Sequence, residues 1–303
     1  MGLIGRMGMN TRNLRFRSNR VRDILALYHE ELDGMYGSGE VSSFGEMLFE
    51  AFLGWDRVRL LTSREQTIDQ SDLLRFHWAL EDLKRYRPIQ HIIGHVDFCG
   101  CRIEVSPDVL IPRPDTETLI ENVLEICRKE GYKSPKIADL CSGSGCIAIT
   151  LKKMLPDAEV SAVELSDGAV DIIKENSALN SADIKIIKGD VLKAETAAMF
   201  RDMDIIVSNP PYVTAEEMAQ LQKEVLYEPE MALYGGEDGL DFYRAMTALW
   251  KNSIAENGWL LYEYGDGQHS DVEKILIDNN FNNITLTRDL AGIFRTASAQ
   301  NRR

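Results

Sequence analysis

The sequence has 303 residues, a length that suits one large domain together with a smaller one. Its formal net charge is −14, and 44% of its residues are apolar. No apolar run approaches the ~18 residues of a membrane-spanning helix, and so acidic a chain lacks the basic face that nucleic-acid-binding proteins use. We therefore expect a globular protein with neither a membrane nor a nucleic acid as a direct partner.

The first 20 residues differ in charge from the rest of the chain. They contain five arginines and no acidic residue. This pattern predicts a disordered basic leader or an over-long start for residues 1–20, an interpretation that we prefer to an RNA-binding arm. A transit peptide would need a clearer amphipathic pattern.

The cysteines and histidines indicate neither a disulfide framework nor a metal site. The five cysteines are odd in number and contain no CxxC pair, which fits a reducing, cytoplasmic location. The five histidines show no HExxH spacing, and the IIG sequence between His91 and His95 is typical of a strand and a turn. We therefore expect no bound metal.

Residues 21–87 predict a small helical domain. Apolar residues recur at helical spacing between residues 21 and 35. Ser43 followed by Glu46 has the pattern of a capping box, which would open a second helix that ends at Gly54. Two further helices are predicted near residues 56–62 and 71–86.

Residues 88–114 predict a β-hairpin followed by an extended connector. The stretch from residue 88 to residue 105 alternates and is rich in Ile and Val, with glycines at positions 94 and 100. Two prolines then flank Arg113, and each fixes its own φ and restricts the preceding residue. The connector should therefore be stiff.

From residue 115 to residue 303, predicted helices and strands alternate. The predicted strands are short and almost continuously apolar, as expected for strands that are covered on both faces. This pattern predicts an α/β domain with a doubly wound sheet and helices on both faces. The principal predicted strands are 137–141, 159–164, 184–187, 204–208 and 258–263.

The ends of three successive predicted strands indicate an adenosine-type cofactor. DLCSGSG, residues 139–145, turns from a strand into a helix, and its glycines allow a close approach of backbone to ligand. Glu164 ends the next strand, where an acid can accept hydrogen bonds from ribose hydroxyls. Asp190 and Val191 follow the third strand and could meet the adenine amino group and ring face. An NAD-dependent oxidoreductase would share the first two features, but the third glycine of its fingerprint is missing.

Asn209-Pro210-Pro211-Tyr212 follows the strand at 204–208. The rigid turn would present two acceptors, the side-chain oxygen of Asn209 and the carbonyl oxygen of Pro210, to both hydrogens of a planar –NH2 group. Tyr212 offers that group a flat apolar face. Such a nitrogen is a poor nucleophile, so orientation and stabilisation of its developing positive charge would supply the catalysis.

These motifs resemble the release-factor glutamine N5-methyltransferase family (HemK/PrmC) over nearly all of the chain after residue 21. The resemblance implies a Rossmann-like class I S-adenosylmethionine-dependent methyltransferase domain, a small all-α N-terminal domain that helps to grip the substrate, and a β-hairpin connector. It rests on the segments at 88–94, 110–117, 139–145, 208–212, 227–244 and 289–295.

The resemblance implies transfer of a methyl group from S-adenosyl-L-methionine to the glutamine of a Gly-Gly-Gln loop in class I peptide-chain release factors. For the oligomeric state we favour a monomer. Asn209, Pro210 and Tyr212 would be catalytic and, with Pro211, would bind substrate. Arg113 would lie by the cofactor and close the site. The candidate cofactor-binding residues are Arg113, Asp139, Cys141, Ser142, Gly143, Ser144, Gly145, Glu164, Asp190, Val191 and Asn209.

Four positions depart from the family pattern, the mildest being Ser142 in place of threonine. Cys141 stands where glycine is common and adds a Cβ, Glu164 stands where aspartate is usual, and Val191 replaces an aromatic ring found in some members. None of the four touches the NPPY chemistry.

Two other functions use parts of the same pattern. An adenine-N6 methyltransferase acting on DNA or RNA needs the same amino-group trap, but it also needs a phosphate-binding surface, for which this acidic chain has no evident basic region. A non-catalytic S-adenosylmethionine-binding protein would have no reason to keep an amide trap.

Overall fold

Residues 16–302 are described by a computed structural model, and the chain divides into two units between Ile93 and Gly94. Of the predicted basic leader, residues 1–15 lie outside the described part of the chain. Within the remainder, the backbone of Arg20 pairs with that of Thr67, and Phe16 packs against the apolar core of the first unit. None of the helices in residues 16–302 combines the length and the apolar character needed to cross a membrane.

The first unit is helical, as its apolar spacing predicts. The amphipathic helices bury one stripe each, and the largest fully buried side chains include Tyr28, Phe49 and Phe76. The hydroxyl of Tyr28 donates to the carbonyl of Phe76 at 2.6 Å, which satisfies a polar group inside this core. The helices are α1 Val21–Tyr36, α2 Ser38–Leu53, α3 Arg57–Thr62, α4 Gln70–Leu83 and α5 Ile89–Ile93.

The predicted capping box at Ser43 is wrong. Helix α2 begins at Ser38, and the Ser43 hydroxyl donates to the carbonyl of Gly39 within the helix. Val41 is buried against the core of the unit, so the apolar stripe extends a full turn before the predicted start. Burial of that turn outweighs the low helix propensity of its glycine.

The strand predicted at the start of the hairpin region is also wrong, because residues 89–93 form the short helix α5. Pro88 precedes the helix and its carbonyl accepts from Ile92 N, a position that proline tolerates. Ile89 and Ile92 are both buried in the helical core. A spacing of three residues places both side chains on one face of a helix, whereas the Ile-rich run also fits a strand. Packing against the helical core decides in favour of the helix.

The predicted hairpin forms after this helix. Strand β1, His95–Phe98, pairs antiparallel with β2, Cys101–Glu104. Gly100 has a φ of 75°, which the tight connection between the strands requires. The hairpin packs with Phe98, Cys101 and Ile103 in the core of the second unit.

The predicted doubly wound sheet is confirmed. Within residues 16–302 its strand order is β5-β4-β3-β6-β7-β9-β8, parallel from β5 to β7, with β9 and β8 antiparallel. The strands are β3 Lys136–Leu140, β4 Glu159–Glu164, β5 Lys185–Lys188, β6 Met203–Ser208, β7 Ile254–Glu263, β8 Asn282–Arg288 and β9 Phe294–Gln300. The helices are α6 Thr116–Glu130, α7 Cys146–Met154, α8 Asp167–Leu179, α9 Ala194–Ala197, α10 Ala215–Met218, α11 Asp241–Trp250 and α12 His269–Asp278.

Two apolar cores lie on the two faces of the sheet. One contains residues of the hairpin, α6, α7 and α8, and the other contains residues of α9, α11 and α12. Neighbouring residues of one strand belong to opposite cores, as Ile205 and Ile206 do. The chain order reverses between β3 and β6, so the carboxyl ends of these strands border the crevice where sheets of this type bind ligands.

Candidate active site

The glycine-rich turn leads from β3 into α7 through three left-handed positions. Cys141, Gly143 and Gly145 have φ values of 59°, 53° and 78°. A Cβ on Gly145 would lie 3.1 Å from Ile173 of α8, so this glycine allows the turn to pack closely. A Cβ on Gly143 would have no protein atom within 4 Å, so this glycine faces open space.

Cys141 adopts a backbone conformation that glycine adopts without strain. The left-handed region costs an L-residue about 1–2 kcal/mol, which explains why glycine suits this position. Burial raises the pKa of the Cys141 thiol well above its usual value, and Glu164 raises it further. The thiol therefore stays neutral and acts as a small apolar wall.

Glu164 ends β4 and lies against the same turn. Its Oε2 accepts from Gly143 N at 2.8 Å, and its Oε1 accepts from Leu165 N at 2.7 Å and from Ser166 N at 2.9 Å. Of the roughly four lone-pair sites of a carboxylate, three are used, and one remains on Oε2. The carboxylate is thus held rigidly and keeps an acceptor for a ligand hydroxyl.

A cavity of about 180 Å³ opens at the carboxyl ends of β3, β4, β5 and β6. Its wall also includes residues that the sequence analysis did not select, among them Leu110, Met231 and Phe242. The predicted residues that line it are Cys141, Gly143, Glu164, Asp190, Val191, Asn209 and Pro211. A glycine cradle, a fixed carboxylate and apolar side chains together fit an adenosine-type group.

The other predicted residues of the glycine-rich turn do not line this cavity. Asp139 is fully buried, accepts from Ala148 N at 3.3 Å, and has its pKa raised to about 7 by burial. The Ser142 hydroxyl donates to the Asp139 carbonyl, and the Ser144 carbonyl accepts from Asn176. These residues hold the turn in place.

Arg113 forms an ion pair with Glu228, whose side chain is almost completely buried. The other carboxylate oxygen of Glu228 accepts from Ile111 N at 2.9 Å. Arg113 does not line the cavity, although Leu110 does. The pair therefore joins the extended connector to the segment that follows the NPPY turn.

The Asn209 side chain is fixed by two neighbours. Its Nδ2 donates to Glu263 Oε1 at 2.8 Å and to Thr116 Oγ1 at 3.3 Å. Its Oδ1 is buried, and no group in the described part of the chain donates a hydrogen bond to it. The amide therefore presents an acceptor, as the sequence analysis predicts for holding an –NH2 group.

Two glycines allow another segment to pack against the backbone of the NPPY turn. A Cβ on Gly235 would lie 2.6 Å from Pro211 O, and one on Gly239 would lie 2.2 Å from Tyr212 O. Gln268 Nε2 also donates to Tyr212 O at 3.0 Å. The turn is thus held from outside as well as by its own prolines.

A second, more open cavity of about 470 Å³ is lined by a different part of this turn. Tyr212 lines it, whereas Asn209 and Pro211 line the first cavity. Burial raises the pKa of Tyr212 to about 12, so its hydroxyl is neutral at physiological pH. The charged side chains in the second wall are Glu217, Asp238, Asp266 and Arg295.

Sequence reasoning missed two buried acids of this region, Glu228 and Glu263. Glu263 ends β7 as Glu164 ends β4, so the rule that selected Glu164 could have found it. Glu228 follows Tyr227 in an irregular segment, and no local pattern marks its pairing with Arg113.

Comparison with known proteins identifies two matching family models and a related fold. A family model described as the methyltransferase small domain matches residues 114–237, and one described as the PrmC N-terminal domain matches residues 35–94. A solved methyltransferase from Pyrococcus furiosus aligns with a TM-score of 0.51 at 15% identity, covering 67% of this chain and 90% of that one, and it shows the fold alone. The predicted Rossmann-like class I methyltransferase fold is confirmed.

Curated relatives extend over most of the chain. A release factor glutamine methyltransferase of Flavobacterium psychrophilum is 37% identical over 275 residues, which cover 90% of this chain and 96% of the relative. One of Clostridium acetobutylicum is 38% identical over 257 residues, which cover 84% of this chain and 89% of the relative. This chain therefore belongs to the release factor glutamine methyltransferase family.

Proposed function

We propose that this protein transfers a methyl group from S-adenosylmethionine to the side-chain amide nitrogen of the glutamine in the Gly-Gly-Gln motif of class I peptide-chain release factors. One observation carries the proposal beyond the family membership. Asn209 Oδ1 is a buried acceptor to which nothing in residues 16–302 donates, and its side chain borders the cavity that fits an adenosine-type group. A planar –NH2 group supplies the donor that this acceptor lacks.

The residues of the first cavity fit the cofactor. Glu164 would accept from a ribose hydroxyl through the free site on Oε2, Gly143 would allow the close approach of the ligand, and Val191 would cover the adenine ring. Asp190 lies in the wall where it could accept from the adenine amino group. When bound, S-adenosylmethionine supplies an activated methyl group.

The NPPY turn would supply catalysis by orientation. The lone pair of an amide nitrogen is delocalised, so the free side chain is a poor nucleophile. Asn209 Oδ1 and the Pro210 carbonyl would each accept one N–H, which fixes the plane of the amide and stabilises positive charge as it grows on nitrogen. The neutral Tyr212 ring would lie against the amide plane. The methylated nitrogen then loses a proton readily, so no strong general base is needed.

Adenine-N6 methylation of DNA or RNA is the nearest alternative. The wall of the second cavity contains three acidic side chains and one basic side chain, Arg295. A phosphate backbone entering there would meet more repulsion than attraction. This charge distribution favours a peptide substrate.

The helical unit would contribute to recognition of the intact release factor. Helix α3 exposes Val58 and Leu61, with exposed fractions of 70% and 54%. Serine at both positions should lower methylation of the whole factor but not of a short Gly-Gly-Gln peptide. Ile277→Ser, at an exposed apolar position of α12, is the control. An equal loss on both substrates would contradict this role.

The test of the proposed function is intact-mass analysis of a purified release factor incubated with the protein and S-adenosylmethionine. We expect one added methyl group on the Gly-Gly-Gln glutamine, absent with Asn209→Ala and present with Asn252→Ala, which changes an exposed asparagine. Methylation of adenine in DNA or RNA instead would favour the alternative. Cofactor binding without transfer to either substrate would indicate a binding protein.

A further inference from the structure

Glu263 occupies a defined position beside the NPPY turn. Strands β6 and β7 are parallel neighbours, with Ser208 opposite Tyr262, so the next residue of each strand, Asn209 and Glu263, emerges at the same edge of the sheet. The Glu263 side chain is buried, and its Oε1 accepts from Asn209 Nδ2 at 2.8 Å. A buried acid at this place needs a reason, because burial disfavours its charged form.

The two hydrogens of Asn209 Nδ2 each have an acceptor, Glu263 Oε1 and Thr116 Oγ1. The flipped amide would place Asn209 Oδ1 against a carboxylate, where two acceptors face each other without a proton. The carboxylate therefore discriminates between the two orientations of the amide. A neutral side chain that can both donate and accept would not.

We propose that Glu263 is a positioning residue for the methyl transfer: its carboxylate holds the Asn209 amide with Oδ1 turned toward the substrate –NH2 group. The carboxylate also polarises the amide, which makes Oδ1 a stronger acceptor for a nitrogen that gains positive charge. This role rests on the proposed function, in which Asn209 holds the substrate amide.

The groups around Glu263 act on its protonation in both directions, and the carboxylate form that orients Asn209 predominates only above its pKa. Burial raises its pKa to about 7, and Asp115 adds to this effect, whereas Thr116, Asn209 and Arg295 lower the pKa. Its Oε2 has no hydrogen-bond partner among the described residues. A nearby cationic cofactor would favour the ionised form further.

A double-mutant cycle tests whether Glu263 acts through Asn209. Glu263→Gln keeps the size of the side chain and replaces a charge-assisted hydrogen bond by a neutral one, which corresponds to a loss of about ten-fold in kcat. We expect this loss with an unchanged unfolding temperature and a Kd for S-adenosylmethionine within about two-fold of the wild type. In the Asn209→Ala background, Glu263→Gln should change the residual rate by less than about two-fold.

Thr116→Val provides a second variant that leaves Glu263 in place. It removes the other acceptor of Asn209 Nδ2 while keeping the side-chain shape, so we expect a smaller loss of kcat that also disappears in the Asn209→Ala background. If Glu263→Gln folds poorly, the Thr116→Val variant tests whether the orientation of the Asn209 amide affects kcat.

Equal losses in both backgrounds would show that Glu263 does not act through Asn209, and an unchanged kcat in both variants would also overturn the proposal. The cycle is run on whichever substrate the wild type methylates. Transfer to adenine rather than glutamine would therefore overturn the proposed substrate alone and leave the Glu263 result readable.

Discussion

Asn176 Nδ2 donates to the carbonyl of Ser144 at 2.9 Å, and the same side chain bonds both the N–H and the C=O of Glu104. One fully buried side chain of α8 therefore ties the end of the hairpin to the glycine-rich turn. Because the turn borders the first cavity, the hairpin contributes to the geometry of the candidate site without touching the cavity.

Removal of the Asn176 side chain should lower the stability of the protein. Asn176→Ala removes the partners of one buried backbone group, the Ser144 carbonyl, and of two partly buried ones, the N–H and C=O of Glu104. We expect a loss of about 2–4 kcal/mol in the free energy of unfolding together with weaker binding of S-adenosylmethionine. Asn180→Ala is the control, because Asn180 lies near the end of the same helix and bonds the exposed Arg102 carbonyl. Denaturant unfolding and calorimetric titration with S-adenosylmethionine measure both effects. Similar losses in the two variants would contradict this account.

The left-handed backbone of Cys141 predicts an unusual order of stability. Cys141→Gly relieves a strain of about 1–2 kcal/mol, against an entropic cost of about 0.4–1 kcal/mol from the more flexible unfolded chain. Cys141→Ala keeps the strain and also loses the thiol. We therefore expect the Gly variant to be about 0.5–1 kcal/mol more stable than the Ala variant by denaturant unfolding. An Ala variant more stable than the Gly variant would show that the position is unstrained.

Gly239 should be required for the rate of methyl transfer because of close packing and not because of its positive φ. Both Gly239 and Gly267 have positive φ values, 73° and 83°, but a Cβ on Gly239 would lie 2.2 Å from Tyr212 O, while one on Gly267 would meet nothing within 4 Å. Alanine at Gly267 should cost about 1 kcal/mol of stability and leave the rate of methyl transfer unchanged. Alanine at Gly239 should also displace the NPPY turn and reduce kcat by about 10²-fold. Equal rates in the two variants would contradict the role of close packing.

Asp139 predicts a specific pH dependence of stability. Its pKa is raised from 3.8 to about 7 in the folded protein, so between these values the folded state binds more protons than the unfolded state. Stability should then fall as the pH rises through this window, by at most about 1.4 kcal/mol per pH unit. In Asp139→Asn, the difference in unfolding free energy between pH 5 and pH 7.5 should change by about 2 kcal/mol relative to the wild type.

The control for this prediction is Asp183→Asn, which changes an exposed aspartate. It should keep the pH dependence of the wild type. If Asp139→Asn and the wild type lose stability in parallel as the pH rises, the Asp139 carboxyl is not the group responsible.

Local sequence determined much of the methyltransferase domain. Strand β4 and helix α8 lie where the apolar pattern and the polar punctuation predict them, residues 159–164 and 167–179. The glycine-rich turn and Glu164 are also local signals, because a tight turn at the end of a buried strand demands particular residue types. The NPPY turn is likewise a local signal, because its four residues are consecutive in the chain.

Tertiary packing decided what local patterns leave open. The early start of α2 and the helical state of residues 89–93 depend on a core built from other helices. The partner of Arg113 lies 115 residues away in the chain, and that of Asn209 lies 54 residues away. No local pattern encodes such contacts. The Asn209–Glu263 contact arises when the sheet places the ends of β6 and β7 side by side, and the Arg113–Glu228 contact arises when the connector packs against the segment after the NPPY turn. The sequence by itself therefore determined which groups could perform the chemistry, and the fold decided which buried acids hold them in position.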